Sequence, residues 1–125
     1  MASPASRIAG SFGYALAGLA ALVRTQPNFG VHLGVSVVVV VLAVVLRAAP
    51  AEVAVLALTI GVVLTAEAFN TALEAVCDLV SPGFHPLVKL AKDVAAAGVL
   101  LSALAAVVVG LAIFAPRVLA SIPGR

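Results

Sequence analysis

The sequence holds 125 residues, 64% of them hydrophobic and only 10% charged, with a mean hydropathy of +1.28 and a formal charge of +2. Soluble domains average roughly 25% charged and 45 to 50% apolar residues, so this composition cannot coat a water-facing surface and excludes a cytosolic globular enzyme. The single cysteine, Cys77, rules out an intramolecular disulfide and a Cys-based zinc or redox motif, and no basic cluster points to nucleic acid.

In chain order, residues 5–25 predict an amphipathic helix along the membrane surface. Ile8, Phe12, Leu16, Leu19 and Val23 recur at steps of three and four, while Arg7, Ser11, Tyr14 and Gly18 follow the same steps on another face. Arg7 and Arg24 stand near its ends, and the absence of a clean apolar core before a cleavage site argues against a signal peptide. Pro27 separates it from a first span at about 29–47, in which the run Phe29 to Leu46 has only His32 and Ser36 as polar members. Arg47 and Pro50 end it.

The second span, about 52–80, is different. Its uncharged stretch from Val53 to Ala66 is 14 residues; at a rise of about 1.5 Å each it reaches roughly 21 Å, too short for a hydrocarbon core of about 30 Å. The helix must therefore continue through Glu67, Asn70, Glu74 and Asp78 until Ser81-Pro82-Gly83 breaks it. This puts Glu67 below the headgroups and brings Glu74 and Asp78 toward water. A third span, about 91–115, contains Val94 to Ala115, 22 residues without a charge, and is expected to stop at Pro116 and Arg117. Residues 1–125 thus predict one all-α integral-membrane domain, a surface helix plus three spans, with no internal repeat. Arg7, Arg24, Lys89 and Lys92 lie on one side and Arg47, Arg117 and Arg125 on the other, a weak bias that makes the first side cytoplasmic.

Four of the five acids (Glu67, Glu74, Asp78, Asp93) and both lysines fall within positions 67–93. Charges at membrane depth are costly, so the clustering requires a reason. At 100° per residue, Glu67, Asn70, Glu74 and Asp78 sit at about 0°, −60°, −20° and +20°, a single polar stripe running about 16 Å along the helix. Stacked carboxylates repel unless a cation neutralises them, and Mg²⁺ commonly takes one or two protein carboxylates, completing its shell with waters and phosphates. With Lys89, Lys92 and Asp93 at the start of the third span, the set suits phosphoryl transfer; no P-loop and no G-x-G-x-x-G is present.

The run Glu67-x-x-Asn70-Thr71-Ala72-x-Glu74-x-x-x-Asp78, then Ser81-Pro82-x-x-His85-Pro86 and Lys89-x-Ala91-Lys92-Asp93-x-Ala95-Ala96, resembles the prokaryotic diacylglycerol kinase and undecaprenol kinase family. Phe12-x-Tyr14-Ala15-x-x-Gly18-Leu19 and Asn28-Phe29-x-x-His32 extend the resemblance over nearly the whole chain. It implies a homotrimer in the bacterial cell membrane that uses ATP and Mg²⁺ to phosphorylate a lipid hydroxyl, of undecaprenol or diacylglycerol, at the cytoplasmic interface. In that pattern Glu67 is the base, Glu74 and position 26 hold metal, and Asn70, Glu67 and Ala96 contact the lipid. Arg7, Tyr14, Glu74, Asp78, Gly83, Phe84, His85, Lys92 and Asp93 contact the nucleotide.

Three positions depart from the family pattern. Gln26 stands where a metal-sharing glutamate is usual, Gly30 where a basic residue is common and Gly13 where lysine is common. The loss of charge at position 26 predicts weaker activity or a higher Mg²⁺ requirement. Two other readings compete with the lipid kinase: a small oligomeric proton- or cation-coupled transporter, and a catalytically weakened member that binds lipid or nucleotide. Elsewhere the expectations are structural. Gly30 and Gly34 suggest close helix contact, Cys77 and His32 packing, and Arg47, Arg117 and Arg125 headgroup anchoring. Ser36, Thr59 and Ser102 are expected to satisfy their hydroxyls on their own helices.

Overall fold

The structure, a computed structural model, describes residues 3–121; Arg125 lies outside them. Four helices follow one another: α1 (Pro4–Thr25), α2 (Pro27–Val45), α3 (Pro50–Val80) and α4 (Pro86–Ala120). Each opens on a proline. At a first helical position the missing N–H is one that has no intrahelical partner anyway, and the fixed φ suits the turn. Side chains assist at two of these starts: Ser3 Oγ accepts from the Ser6 N–H at 3.2 Å, and His85 Nδ1 accepts from the Leu87 N–H at 3.2 Å.

All four helices are long and apolar enough to cross a membrane, α1 included. Apolar side chains such as Leu58, Leu79 and Leu101 stay exposed along their length. The chain is an all-helical, multi-pass membrane protein. What distinguishes α1 is exposure: every side chain described in it except Leu22 is exposed, and it packs against α2. The face bearing Ile8, Phe12 and Leu16 covers nothing within the subunit.

The closest packing joins α3 and α4 as an antiparallel hairpin. Its register is constant from end to end: Glu52 pairs with Arg117, Leu56 shares a cluster with Ile113, and Asp78 pairs with Lys92. A step forward on α3 matches a step back on α4. The two interhelical ion pairs are 78 − 52 = 26 residues apart on α3, about 39 Å, close to the 40 to 45 Å of a bilayer with its headgroups. At the Glu52 end, Ala43, Leu56 and Ile113 form a buried cluster with Val39, Ala48, Val109 and Phe114 against it.

Contrary to the expected stop at Pro116, α4 runs on to Ala120. Proline disturbs the preceding turn by removing an N–H and crowding the carbonyl four residues back. Here the Arg117 guanidinium, tied to Glu52, also donates to the Ile113 carbonyl at 2.9 Å and pins that turn. Arg117 is therefore not a free headgroup anchor. Its partner Glu52 also accepts from the Ala49 N–H at 2.6 Å, capping α3.

Helix α2 ends in a Schellman motif. The Ala48 N–H bonds the Ala43 carbonyl at 2.8 Å, and the Arg47 N–H bonds the Val44 carbonyl at 3.2 Å. The residue that must turn left-handed is Arg47, at φ 52°, a conformation that costs a side-chain-bearing residue about 1 kcal/mol more than glycine. On α2, Phe29, His32, Ser36, Val39 and Ala43 share one inward face, with Phe29 and Ala43 buried and the others half-buried. Gly30 and Gly34 lie on the far side, where a Cβ would meet nothing within 4 Å. The close approach expected of this pair is absent within the subunit because the glycines face outward.

Candidate active site

The polar stripe of α3 lies on the same side as Leu56 and Val63, the side packed into the bundle. Period alone explains it: Leu56, Val63, Glu67, Asn70, Glu74 and Cys77 recur at steps of three, four and seven, so the helix cannot bury its apolar contacts without burying the acids that continue them. Glu67 is only 3% exposed and Asn70 9%. Phe69, across the helix, is 74% exposed.

Within this cluster Asn70 Nδ2 donates to Glu74 Oε1 at 3.2 Å, orienting both side chains across one turn. The Asn70 Oδ1 atom is fully buried with no hydrogen-bond partner. The Glu67 carboxylate has neither a hydrogen bond nor an ion pair among the described residues. A buried carboxylate and an unused amide oxygen at membrane depth are each worth several kcal/mol of lost solvation, and such groups persist where something else completes them. Carried from the Leu56–Ile113 contact, the α4 register puts Val99 at the height of Asn70 and Ser102 at that of Glu67. Ser102 supplies no partner, because its hydroxyl donates to the Val99 carbonyl at 2.7 Å. Ser36 and Thr59 likewise donate to their own helices, to His32 and Val55 carbonyls, both at 2.8 Å.

Beside Asn70 a groove of about 380 Å³ opens between α3 and α4, lined by Ala66, Leu73, Ala95, Gly98 and Val99 among others. It is apolar and floored by small residues, so an aliphatic chain can approach the Asn70 amide along it. At its outer end, Lys92 Nζ donates to Asp78 Oδ1 at 2.9 Å. Lys89 and Asp93 form a second, exposed pair one turn apart on α4. The aqueous edge of the hairpin thus carries two cations and two acids, and the Lys92 side chain is the more covered of the two lysines.

The remaining residues singled out from sequence are more scattered. Gly83, Phe84 and His85 lie exposed in the α3–α4 loop, and His85 caps α4. Ala96 is exposed one turn beyond Lys92. Arg7 and Tyr14 project from α1, and Tyr14 is 82% exposed. Gln26 is half-buried in the joint between α1 and α2, its side chain making no cap. Counted down α2 from the Ala43–Leu56 contact, it comes level with Leu73, beside Glu74. Among the described residues no group of three His, Cys, Asp or Glu side chains could hold a metal. The donors present, Glu67 and Glu74 with the Asn70 amide oxygen, are hard oxygens too few for a closed cage. They suit an ion such as Mg²⁺ that leaves most of its shell to water and phosphate.

Sequence reasoning passed over Glu52 as a structural partner. Its signal was partial: an acid at the third helical position before an apolar run marks a cap, but nothing local marks Arg117, 65 residues later, as its mate.

These features define a class, a polytopic helical membrane protein that keeps a carboxylate–amide–carboxylate cluster buried within its own thickness and edged by lysines. Residues 13–114 match the family described as prokaryotic diacylglycerol kinase. The chain is 47% identical over 110 residues to a protein of Synechocystis sp. named diacylglycerol kinase, covering 87% of this chain and 63% of that protein. It is 35% identical over 107 residues to a protein of Bacillus subtilis named undecaprenol kinase, covering 86% of this chain and 87% of the other. The chain belongs to the prokaryotic diacylglycerol kinase family, and it spans less than two thirds of the length of the Synechocystis relative.

Proposed function

We propose that this protein is a lipid kinase that transfers the γ-phosphate of ATP, with Mg²⁺, to the hydroxyl of a membrane lipid at the cytoplasmic face of a bacterial cell membrane. The acceptor belongs to the diacylglycerol or undecaprenol class, and the working unit is a homotrimer. The observation that carries the reading is the buried, partnerless Glu67 carboxylate beside an Asn70 whose amide oxygen is also unused.

In this reading the lipid enters along the groove past Ala95 and Gly98 and presents its hydroxyl to Glu67. Glu67 accepts the hydroxyl proton as the lipid oxygen bonds to the γ-phosphorus; the bond to the bridging oxygen breaks, ADP leaves and the proton remains on the carboxylate. Asn70 holds the Glu74 carboxylate in place through its Nδ2 and turns its Oδ1 to substrate. Bound Mg²⁺ supplies charge neutralisation for the phosphates, held by Glu74 with Gln26 at the same height on α2. Lys92, released from Asp78, meets the phosphates electrostatically. Arg7 and Tyr14 approach from α1, which lies along the membrane surface, and Gly83, Phe84, His85 and Asp93 line the nucleotide's aqueous side. Ala96 borders the lipid.

The transporter reading needs a polar path through the membrane. The Ala43–Leu56–Ile113 cluster and the Glu52–Arg117 pair close the other half of the bundle, which supports the kinase instead. Transfer of labelled phosphate from ATP to diacylglycerol or undecaprenol in mixed micelles tests the proposal. Incorporation is expected to be lost in Glu67→Gln and Glu74→Ala; equal incorporation with and without both carboxylates rejects it.

A further inference from the structure

At the end of the bundle remote from Glu67 and Glu74, a second groove of about 290 Å³ runs between α2 and α3. Val40, Ala43, Val53, Leu56 and Ala57 line it, and the sole polar side chain on its wall is Arg47. Among the described residues the Arg47 guanidinium has no hydrogen bond or ion pair, whereas the other cation at this end, Arg117, is neutralised by Glu52. The backbone adds an independent observation. Arg47 occupies the left-handed position of the Schellman motif, where glycine is the favoured residue. A side chain kept at a site that penalises it is there for what its guanidinium reaches.

We infer that this groove is a binding site for an anionic phospholipid, unrelated to phosphoryl transfer: one acyl chain lies against Val40, Val53 and Ala57, and the phosphate meets Arg47. Charge decides the class of occupant. One uncompensated cation at the mouth of an otherwise apolar wall complements a ligand with an aliphatic body and a net negative head, and the guanidinium fork matches phosphate oxygens in a bidentate contact. The ion pair of Glu52 with Arg117 sharpens the preference, because it leaves Arg47 alone to compensate the lipid. A free phosphate would use the cation and leave the apolar wall idle.

The test is thermal unfolding of the full-length protein in phosphatidylcholine vesicles with and without phosphatidylglycerol. Phosphatidylglycerol is expected to raise the Tm of the unaltered protein by roughly 3 to 6 °C. Arg47→Gly, which also relieves the left-handed turn and so should fold, is expected to lose that rise. Arg47→Lys is expected to retain part of it, and Ala57→Leu, which fills the groove while keeping the cation, to lose it. A rise of the same size in Arg47→Gly or in Ala57→Leu overturns the inference, as does no rise in the unaltered protein. Cross-linking of Ala57→Cys, in a Cys77→Ala background, to a second copy would show the groove to be a subunit interface and would likewise overturn it.

Discussion

The Glu52 end of the α3–α4 hairpin and the Glu67–Glu74 stretch further along it use the same residue types to opposite effect. In the first, Glu52 caps its helix through the Ala49 N–H and is held by Arg117, so each of its oxygens has a donor. In the second, Glu67 is buried more deeply and has no partner among the described residues, and Asn70 keeps one oxygen unused. A satisfied carboxylate stabilises; an unsatisfied one costs solvation, which on the proposed reading a ligand restores. On that reading stability and chemistry are segregated along one hairpin, about 22 Å apart for the 15 residues between Glu52 and Glu67.

The largest effect expected from this contrast is at the open end. Glu67→Gln should lower phosphoryl transfer by about 10² to 10⁴-fold while raising stability by about 1 kcal/mol, since it removes a lone buried charge. Kinase assays paired with thermal unfolding of the same preparation check both signs; a fall in Tm breaks the comparison. At the closed end the signs reverse. Glu52→Gln or Arg117→Ala should lower the Tm by stranding the partner and loosening the cap, with transfer per folded molecule unchanged. The double variant Glu52→Gln, Arg117→Gln should recover part of that loss, which a double-mutant cycle would read.

Gln26→Glu sharpens the chemical side. A carboxylate level with Glu74 is expected to lower the Mg²⁺ concentration needed for half-maximal transfer by roughly threefold to tenfold. A titration of rate against Mg²⁺ that does not move would remove Gln26 from the metal's surroundings. The smallest effect belongs to the exposed bridge at the aqueous edge. Asp78→Asn should leave the Tm nearly unchanged, because the bridge is exposed, while freeing Lys92 to lower the KM for ATP; a marked loss of Tm would make that bridge a structural clamp like the one between Glu52 and Arg117.

Much of this arrangement was legible in the residues. The lipid environment follows from composition, since so few charges cannot clothe a soluble domain. The continuation of α3 past Ala66 follows from length, and the grouping of Glu67, Asn70 and Glu74 on one face follows from period. Pro116 misled as a stop because α4 continues past it, with the Arg117 side chain tying that turn to Ile113 and to a residue on another helix. The outward turn of Gly30 and Gly34 was equally invisible, because a small-residue spacing specifies a face without saying which neighbour it meets. Arg47 was legible as the end of the first span and as a headgroup anchor, but its left-handed turn was not, since that is a property of how α2 joins α3.

By itself, then, the sequence determined the solvent, the helical starts marked by Pro4, Pro27, Pro50 and Pro86, and the polar stripe with its family resemblance. All depend on interactions within a few turns of one helix. Only the tertiary structure decided that the stripe faces inward, that Glu52 meets Arg117 and Asp78 meets Lys92, and that Glu67 and one Asn70 oxygen have no partner among the described residues. Those outcomes depend on the register between helices, which is set by side-chain packing among residues far apart in the chain and leaves no periodic trace in either helix alone.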